Sequence, residues 1–201
     1  MSDLATLLAG DVVDAARGLL GRRLRSDIGG VGCEVVLTEV EAYGGADDPA
    51  SHAFGGPTGR NASMFGPAGT LYVYRSYGVH WCMNAVTGPP GRASAVLLRA
   101  GSPLAGEEHM RRRRGRDDCL CNGPGRLAQA LGVSGEQDGT SLFEGPVRLL
   151  AGPTAGGRVA TGPRVGITRA ADRLWRFRLI LPGGRQREAG AQAGQAKRAR
   201  K

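Results

Sequence analysis

The chain has 201 residues, 41% of them hydrophobic, with a formal charge of +9 at pH 7; that length suits one well-buried domain and cramps two. No apolar run approaches the roughly 18 residues that cross a bilayer, and the opening MSDLATLLAGDVVDAARG lacks the basic-then-apolar order of a secretory leader, so a cytoplasmic protein with no membrane partner is expected. Cys33, Cys82, Cys119 and Cys121 form no regular framework, and the single C-x-C lacks a second pair or a spaced histidine, so reduced thiols and no metal site are expected.

In chain order, Asp11 to Leu20 spaces Val12, Val13, Ala16 and Leu19 as a helix does, with Gly21 as its stop. Cys33 to Tyr43 (CEVVLTEVEAY) is β-branched and alternating, which predicts a strand with Val35, Leu37, Glu39 and Glu41 on one face. Glycines and Pro49 punctuate Gly44 to Gly69, predicting loop with a short helical turn near His52. Leu71–Tyr74 and His80–Val86 read as strands closing on a turn near Ser76, Tyr77 and Gly78. Ser94–Arg99 is another strand, Glu107–Arg114 a charged helix, and Gly125–Leu131 a helix with Pro124 in its first turn. Val147–Leu150, Arg164–Thr168 and Trp175–Leu181 complete a β-rich second half. The expected fold class is α+β, one domain over residues 1–182 with a curved, mainly antiparallel sheet flanked by helices and a protruding hairpin.

The last segment, Gly183 to Lys201, holds six Lys/Arg and one Glu in a small, polar background. It is expected to be disordered. Such a tail loads a chain onto polyanions without reading sequence, or merely keeps it soluble. Both lysines of the chain, Lys197 and Lys201, lie in it, so mechanisms that need an internal lysine amine are excluded from the body.

The chemistry concentrates in a few places. Glu41 closes an apolar strand with Tyr43 two residues on, and burial there would push its pKa upward unless an arginine such as Arg99 pairs with it. His52, in DDPASHAF, is either a solvated loop histidine or the wall of a pocket. Asn84 is an ordinary strand polar residue or an amide that checks what enters. The run TLYVYRSYGVHWCM, Thr70 to Met83, holds three of four tyrosines and one of two tryptophans. Tyr72 can serve a β-rich core, but a tyrosine at a hairpin tip, Tyr77, fills none. Exposed rings of that kind stack on nucleobases or displace them.

The run EVEAYGGADDPASHAFGGPTGRNASMFGPAGTLYVYRSYGVHWCMNAV resembles the signature region of the alkyladenine (3-methyladenine) DNA glycosylases of the vertebrate type. The likeness continues through AVLLRAGSPLAGEEHMRRRR and LCNGPGRLAQALG to RVGI, from about Val12 to Leu181. It implies a monomeric, cofactor-free enzyme acting on double-stranded DNA that contains damaged purines. It casts Glu41 as the base that activates water, with Arg99 and the carbonyl of Val165 positioning that water. Tyr43, His52, Tyr74 and Asn84 would form the pocket for a flipped base, and Tyr77 would intercalate where the base has left. GVHW after Tyr77 departs from the vertebrate pattern, so His80 and Trp81 alter the surroundings of that wedge. The competing expectation is a catalytically inert nucleic-acid-binding protein using the same aromatic hairpin.

Overall fold

The computed structural model describes residues 3–151 and 156–180; the expected basic tail lies outside the described residues. Two short helices open the chain, α1 (Asp3–Ala9) and α2 (Val12–Leu19). The carboxylate of Asp11 accepts the amides of Val13 (2.8 Å) and Asp14, so the predicted first residue of α2 is its N-cap. The first helix was not expected from the sequence.

Among the described residues, eight strands form one sheet in which all pairings are antiparallel. They are β1 (Arg23–Ser26), β2 (Cys33–Tyr43), β3 (Leu71–Ser76), β4 (His80–Thr87), β5 (Ser94–Ala105), β6 (Val147–Leu150), β7 (Arg158–Gly162) and β8 (Arg176–Ile180). The main path runs β3-β4-β5-β2-β1-β6, and β8 joins β2 to β7. With the helices α3 (Glu107–Arg114) and α4 (Pro124–Leu131), this is the α+β domain that the sequence predicts.

Strand β2 organises the molecule. Along one edge it pairs with β5, and along the other it pairs first with β1 (residues 33–36) and then with β8 (residues 39–41). The fork falls at a bulge: Leu37 faces Gly101 and Glu39 faces Ala100, so Thr38 is an extra residue, while on β5 Arg99 is the extra one between Ala100 and Leu98. A bulge reverses the pleat. Cys33, Val35 and Leu37 therefore enter the main core before it, and Val40 and Ala42 enter after it. The predicted face is corrected accordingly: Val35 and Leu37 point into the core, and Glu39, Glu41 and Tyr43 point to the other side.

The two faces can be followed across the sheet. Leu71, Ala85, Val96 and Ala42 stand in register and belong to the core packed under α1, α2 and α4. One residue along, Tyr72, Asn84, Leu97 and Glu41 stand in register on the opposite face. There, Tyr72, Val86 and Ala95 pack with Ala53 and Met64 in a second, smaller apolar cluster. Burying each large aliphatic side chain stabilises the fold by roughly 1.5–3 kcal/mol.

Two expectations about strand limits fail. Strand β5 continues to Ala105, which places Arg99 inside a strand instead of at its end. The strand expected over Arg164–Thr168 forms earlier, as β7, because Pro163 offers no amide to a ladder and Gly166 turns the chain at φ 76°. Strand β8 occupies most of the expected Trp175–Leu181, and Leu181 lies outside the described residues.

Candidate active site

A cavity of about 600 Å³ opens on the face of the sheet away from the main core. Its lining includes Tyr43, His52, Tyr72, Tyr74, Tyr77, Asn84, Leu97, Arg99 and Val165. Seven of the eight predicted site residues are in that lining. The eighth, Glu41, is fully buried and does not itself line the cavity. Its hydrogen-bond donors do.

Glu41 is held from three sides. The Tyr43 hydroxyl donates to Oε2 at 2.9 Å, the Val165 amide donates to Oε1 at 2.8 Å, and Arg99 Nη1 reaches Oε2 at 3.4 Å. Val165 thus meets the carboxylate through its N–H, whereas the family resemblance assigns a role to its carbonyl. Burial raises the Glu41 pKa above 4.5, and Arg99, the Val165 amide and the Tyr43 hydroxyl each oppose that rise. Burial, and then the Glu41 charge, push the Tyr43 hydroxyl far up, so it stays protonated and remains a donor.

Sequence reasoning placed Glu39 on the same face as Glu41 but gave it no role. In the structure Arg99 Nε donates to Glu39 Oε1 at 2.8 Å, and Arg176 Nε donates to the same oxygen at 2.8 Å. Burial would raise Glu39, but Arg176 and Arg99 overcome it and hold the carboxyl below its usual range. Desolvation works against the Arg99 charge, and Glu41 and Glu39 together more than restore it. The bulge at Arg99 is what aims this guanidinium between the two carboxylates.

The aromatic wall is equally tied down. His52 Nδ1 shares a 2.9 Å hydrogen bond with the Tyr72 hydroxyl, and its ring meets Tyr74 edge-on at 4.4 Å between centroids. Burial, aided by the Arg60 charge, lowers the His52 pKa, so the ring is neutral at pH 7. Burial also pushes Tyr72 up to about 12. Tyr72 and Tyr74 stack at 5.5 Å. Asn84 Nδ2 donates to the Tyr72 carbonyl at 3.1 Å, which fixes the amide on the cavity floor.

Tyr77 is a different kind of residue. It is 93% exposed at the tip of the β3–β4 hairpin. Tyr77 and Gly78 both adopt positive φ, 49° and 69°, and the Val79 amide donates to the Ser76 carbonyl at 3.0 Å. Turns of that hand favour Asn or Gly, so a tyrosine stands where local preference disfavours it. Such backbone strain concentrates at functional positions. At the hairpin foot, α4 approaches His80 so closely that a Cβ on Gly125 would lie 2.8 Å from the histidine Cβ. That approach sets Pro124 in the cavity wall.

Two further groups had no clear signal in the sequence. The Arg164 guanidinium is buried, 4.7 Å from the centre of the Tyr43 ring, and pairs with buried Asp48. Arg60 lies 6.0 Å over Tyr74 and donates to the Arg75 carbonyl at 2.8 Å. Cys33, Cys82, Cys119 and Cys121 are all unpaired, as expected. Among the described residues, no helix is long and apolar enough to cross a membrane.

A buried carboxylate shared by a tyrosine, an arginine and a main-chain amide, beside a cavity of tyrosines, is suited to activating water next to a flat ligand. Comparison with known proteins gives the same direction. The sequence model of the methylpurine-DNA glycosylases matches residues 6–180. A protein of Agrobacterium fabrum, named "Putative 3-methyladenine DNA glycosylase", is 52% identical over 171 residues, 84% of each chain. Proteins of the same name from Nocardia farcinica (53% over 180 residues, 84% of this chain and 83% of that one) and Frankia casuarinae (54% over 159 residues, 72% and 75%) are similarly close.

Proposed function

The chain belongs to the methylpurine-DNA glycosylase family, and from that premise we propose that it is a monofunctional glycosylase of base excision repair. It takes an alkylated or deaminated purine (3-methyladenine, 7-methylguanine, hypoxanthine or ethenoadenine) out of double-stranded DNA and hydrolyses its N-glycosidic bond, leaving an abasic site. The observation that carries this reading is Glu41, hydrogen-bonded to Tyr43, Arg99 and Val165, which line an aromatic cavity large enough for a purine.

The glycosidic bond is inaccessible inside a duplex, so the nucleotide rotates out at a cost of a few kcal/mol for unstacking. Tyr77, exposed at the hairpin tip, fills the gap and offsets part of that cost. In the cavity the purine lies between Tyr43 and Tyr74, with His52 closing the wall and Asn84 disfavouring guanine through its 2-amino group. A cationic alkylpurine gains about 1–2 kcal/mol from the ring faces beyond ordinary stacking.

The water enters from the cavity between the donors that cover Glu41 and hydrogen-bonds to Oε1. That oxygen receives the Val165 amide at 2.8 Å, with Arg99 Nε 3.4 Å away, which leaves a lone pair for one more donor. As the bond to the base breaks, the sugar gains oxocarbenium character. The Glu41 carboxylate stabilises that charge and takes the water's proton, a contribution of about 10²–10⁴-fold. Water as nucleophile leaves the strand uncut. The absence of lysine before residue 197 supports this, because Schiff-base lyase chemistry has no internal lysine amine to use. The protein works as a monomer on one lesion at a time.

The enclosure of Glu41 behind its donors favours one alternative, an inert binder of damaged DNA. Base release from duplexes carrying each lesion separates the two readings. Wild-type protein should release free base, and Glu41→Gln should bind abasic duplex yet release base at least a hundredfold more slowly. Failure of the wild type to release any of the four bases would leave only the binder.

A further inference from the structure

Behind Tyr43, on the side away from the cavity, lies a buried charge pair that the reaction above does not use. Arg164 and Asp48 have fully buried side chains. Arg164 Nη2 donates to Asp48 Oδ1 at 2.9 Å, and Nη1 donates both to Oδ2 and to the Ala42 carbonyl, the latter at 3.0 Å. Nη2 also reaches the Ala170 carbonyl at 3.3 Å. The guanidinium lies 4.7 Å from the Tyr43 ring centre and 5.3 Å from that of Trp175, and its buried Nε has no acceptor among the described residues. Asp48 in turn accepts the amides of Gly44 (3.1 Å) and Ala50 (3.2 Å). Arg173, one-third exposed, stands 3.8 Å from the same carboxylate.

Tyr43 lines the cavity, whereas Arg164, Asp48 and Trp175 do not. A cation thus packs against a ring that also borders the cavity. A cation on one face of a π-system weakens the attraction of the opposite face for a second cation. The Asp48 carboxylate, in direct contact with the guanidinium, opposes that effect at close range.

We propose that the Arg164–Asp48 pair determines specificity by charge balance: it braces Tyr43 with no net charge, so that the cavity accepts cationic and neutral purines alike. This rests on the base-release reading. A base stacked about 3.5 Å in front of the ring would lie roughly 8 Å from the guanidinium. At an effective dielectric constant of about 20, an uncompensated charge at that distance is worth about tenfold or more in binding. Desolvation would raise the Asp48 carboxyl, but Arg164 and the two amides hold it below its usual range, so Asp48 carries its charge at neutral pH.

The test is the ratio of kcat/KM for a cationic lesion, 7-methylguanine, to that for a neutral one, hypoxanthine, in the same duplex. Asp48→Asn leaves the guanidinium uncompensated and should lower the ratio about tenfold. The double variant Arg164→Gln/Asp48→Asn, which removes one charge of each sign, should return it to within twofold of wild type whatever happens to the individual rates. A structural role alone would depress both lesions equally in Asp48→Asn, and that result overturns the proposal. Should Asp48→Asn fail to melt cooperatively, Arg164→Gln decides. There Asp48 keeps its two amides and Arg173, so the ratio should rise, and an unchanged or lower ratio overturns the charge argument. If wild-type protein releases neither base, the proposed function has failed, and the ratio is not defined.

Discussion

Replacing Arg99 with Gln should reveal how the carboxylate pair is governed. The side chain is 13% exposed and joins Glu39 at 2.8 Å to Glu41 at 3.4 Å. After the substitution Glu39 keeps Arg176, but Glu41 keeps only neutral donors, Tyr43 and Val165. Breaking a buried ion pair costs about 3–5 kcal/mol. Because Glu39 retains a partner and Glu41 can take up a proton, the loss belongs at the lower end, about 3 kcal/mol. At about 2–4 °C per kcal/mol for a chain of this size, Tm falls by about 6–12 °C. Glu41 already has a raised pKa from burial, and without the guanidinium it rises further. Single-turnover base release measured from pH 5 to 9 should therefore show its acid limb displaced to higher pH, with a rate at pH 7 lower by about 10²–10³-fold. An acid limb that stays in place or moves down, or a loss below tenfold, would refute the assignment of Arg99 as the cation that keeps Glu41 ionised.

Other outcomes follow from the same geometry. Glu41 binds its proton more tightly folded than unfolded, so the stability it contributes is complete below pH 4.5 and is lost as pH rises through its folded pKa. Glu41→Gln should accordingly gain stability relative to wild type as pH climbs from 4.5 to 8 in thermal melts, even as base release is lost. Tyr77→Asn places a residue tolerant of positive φ at the hairpin tip. It should raise stability by about 0.5–1 kcal/mol while lowering affinity for a lesion duplex about 5–150-fold, since a stacking contact is worth about 1–3 kcal/mol. Tyr72→Phe removes the hydrogen bond to His52 Nδ1; a loss of about 1 kcal/mol in stability and a several-fold rise in KM are expected in melts and steady-state assays.

The residues of the site were legible because they sit in short, distinctive runs. Seven of those named from the sequence do line one cavity, and the Glu behind them is bonded to three of its walls. What could not be read was non-local. The supporting roles of Glu39 and Arg176 arise only when β5 and β8 flank β2. Arg164 was expected on a strand, but its guanidinium is drawn inward to Asp48, a contact 116 positions away in sequence. Alternation over CEVVLTEVEAY carries no mark of the extra residue at Thr38, so simple period-two counting put acids and aliphatics on one side. The short charged β1, RLRS, lacks apolar periodicity and takes its shape from the neighbours that pair with it.

That extra residue gives β2 something like a reading frame. Remove Thr38, and everything downstream changes sides: Val40 and Ala42 would turn outward, and Glu39, Glu41 and Tyr43 would be driven into hydrocarbon. A one-residue deletion there should therefore be far more harmful than most substitutions nearby, and a matching deletion of Arg99 could not rescue it without discarding the guanidinium. The polar and the oily faces of this strand are kept apart by a single counted position, which is a tighter constraint on length than on identity.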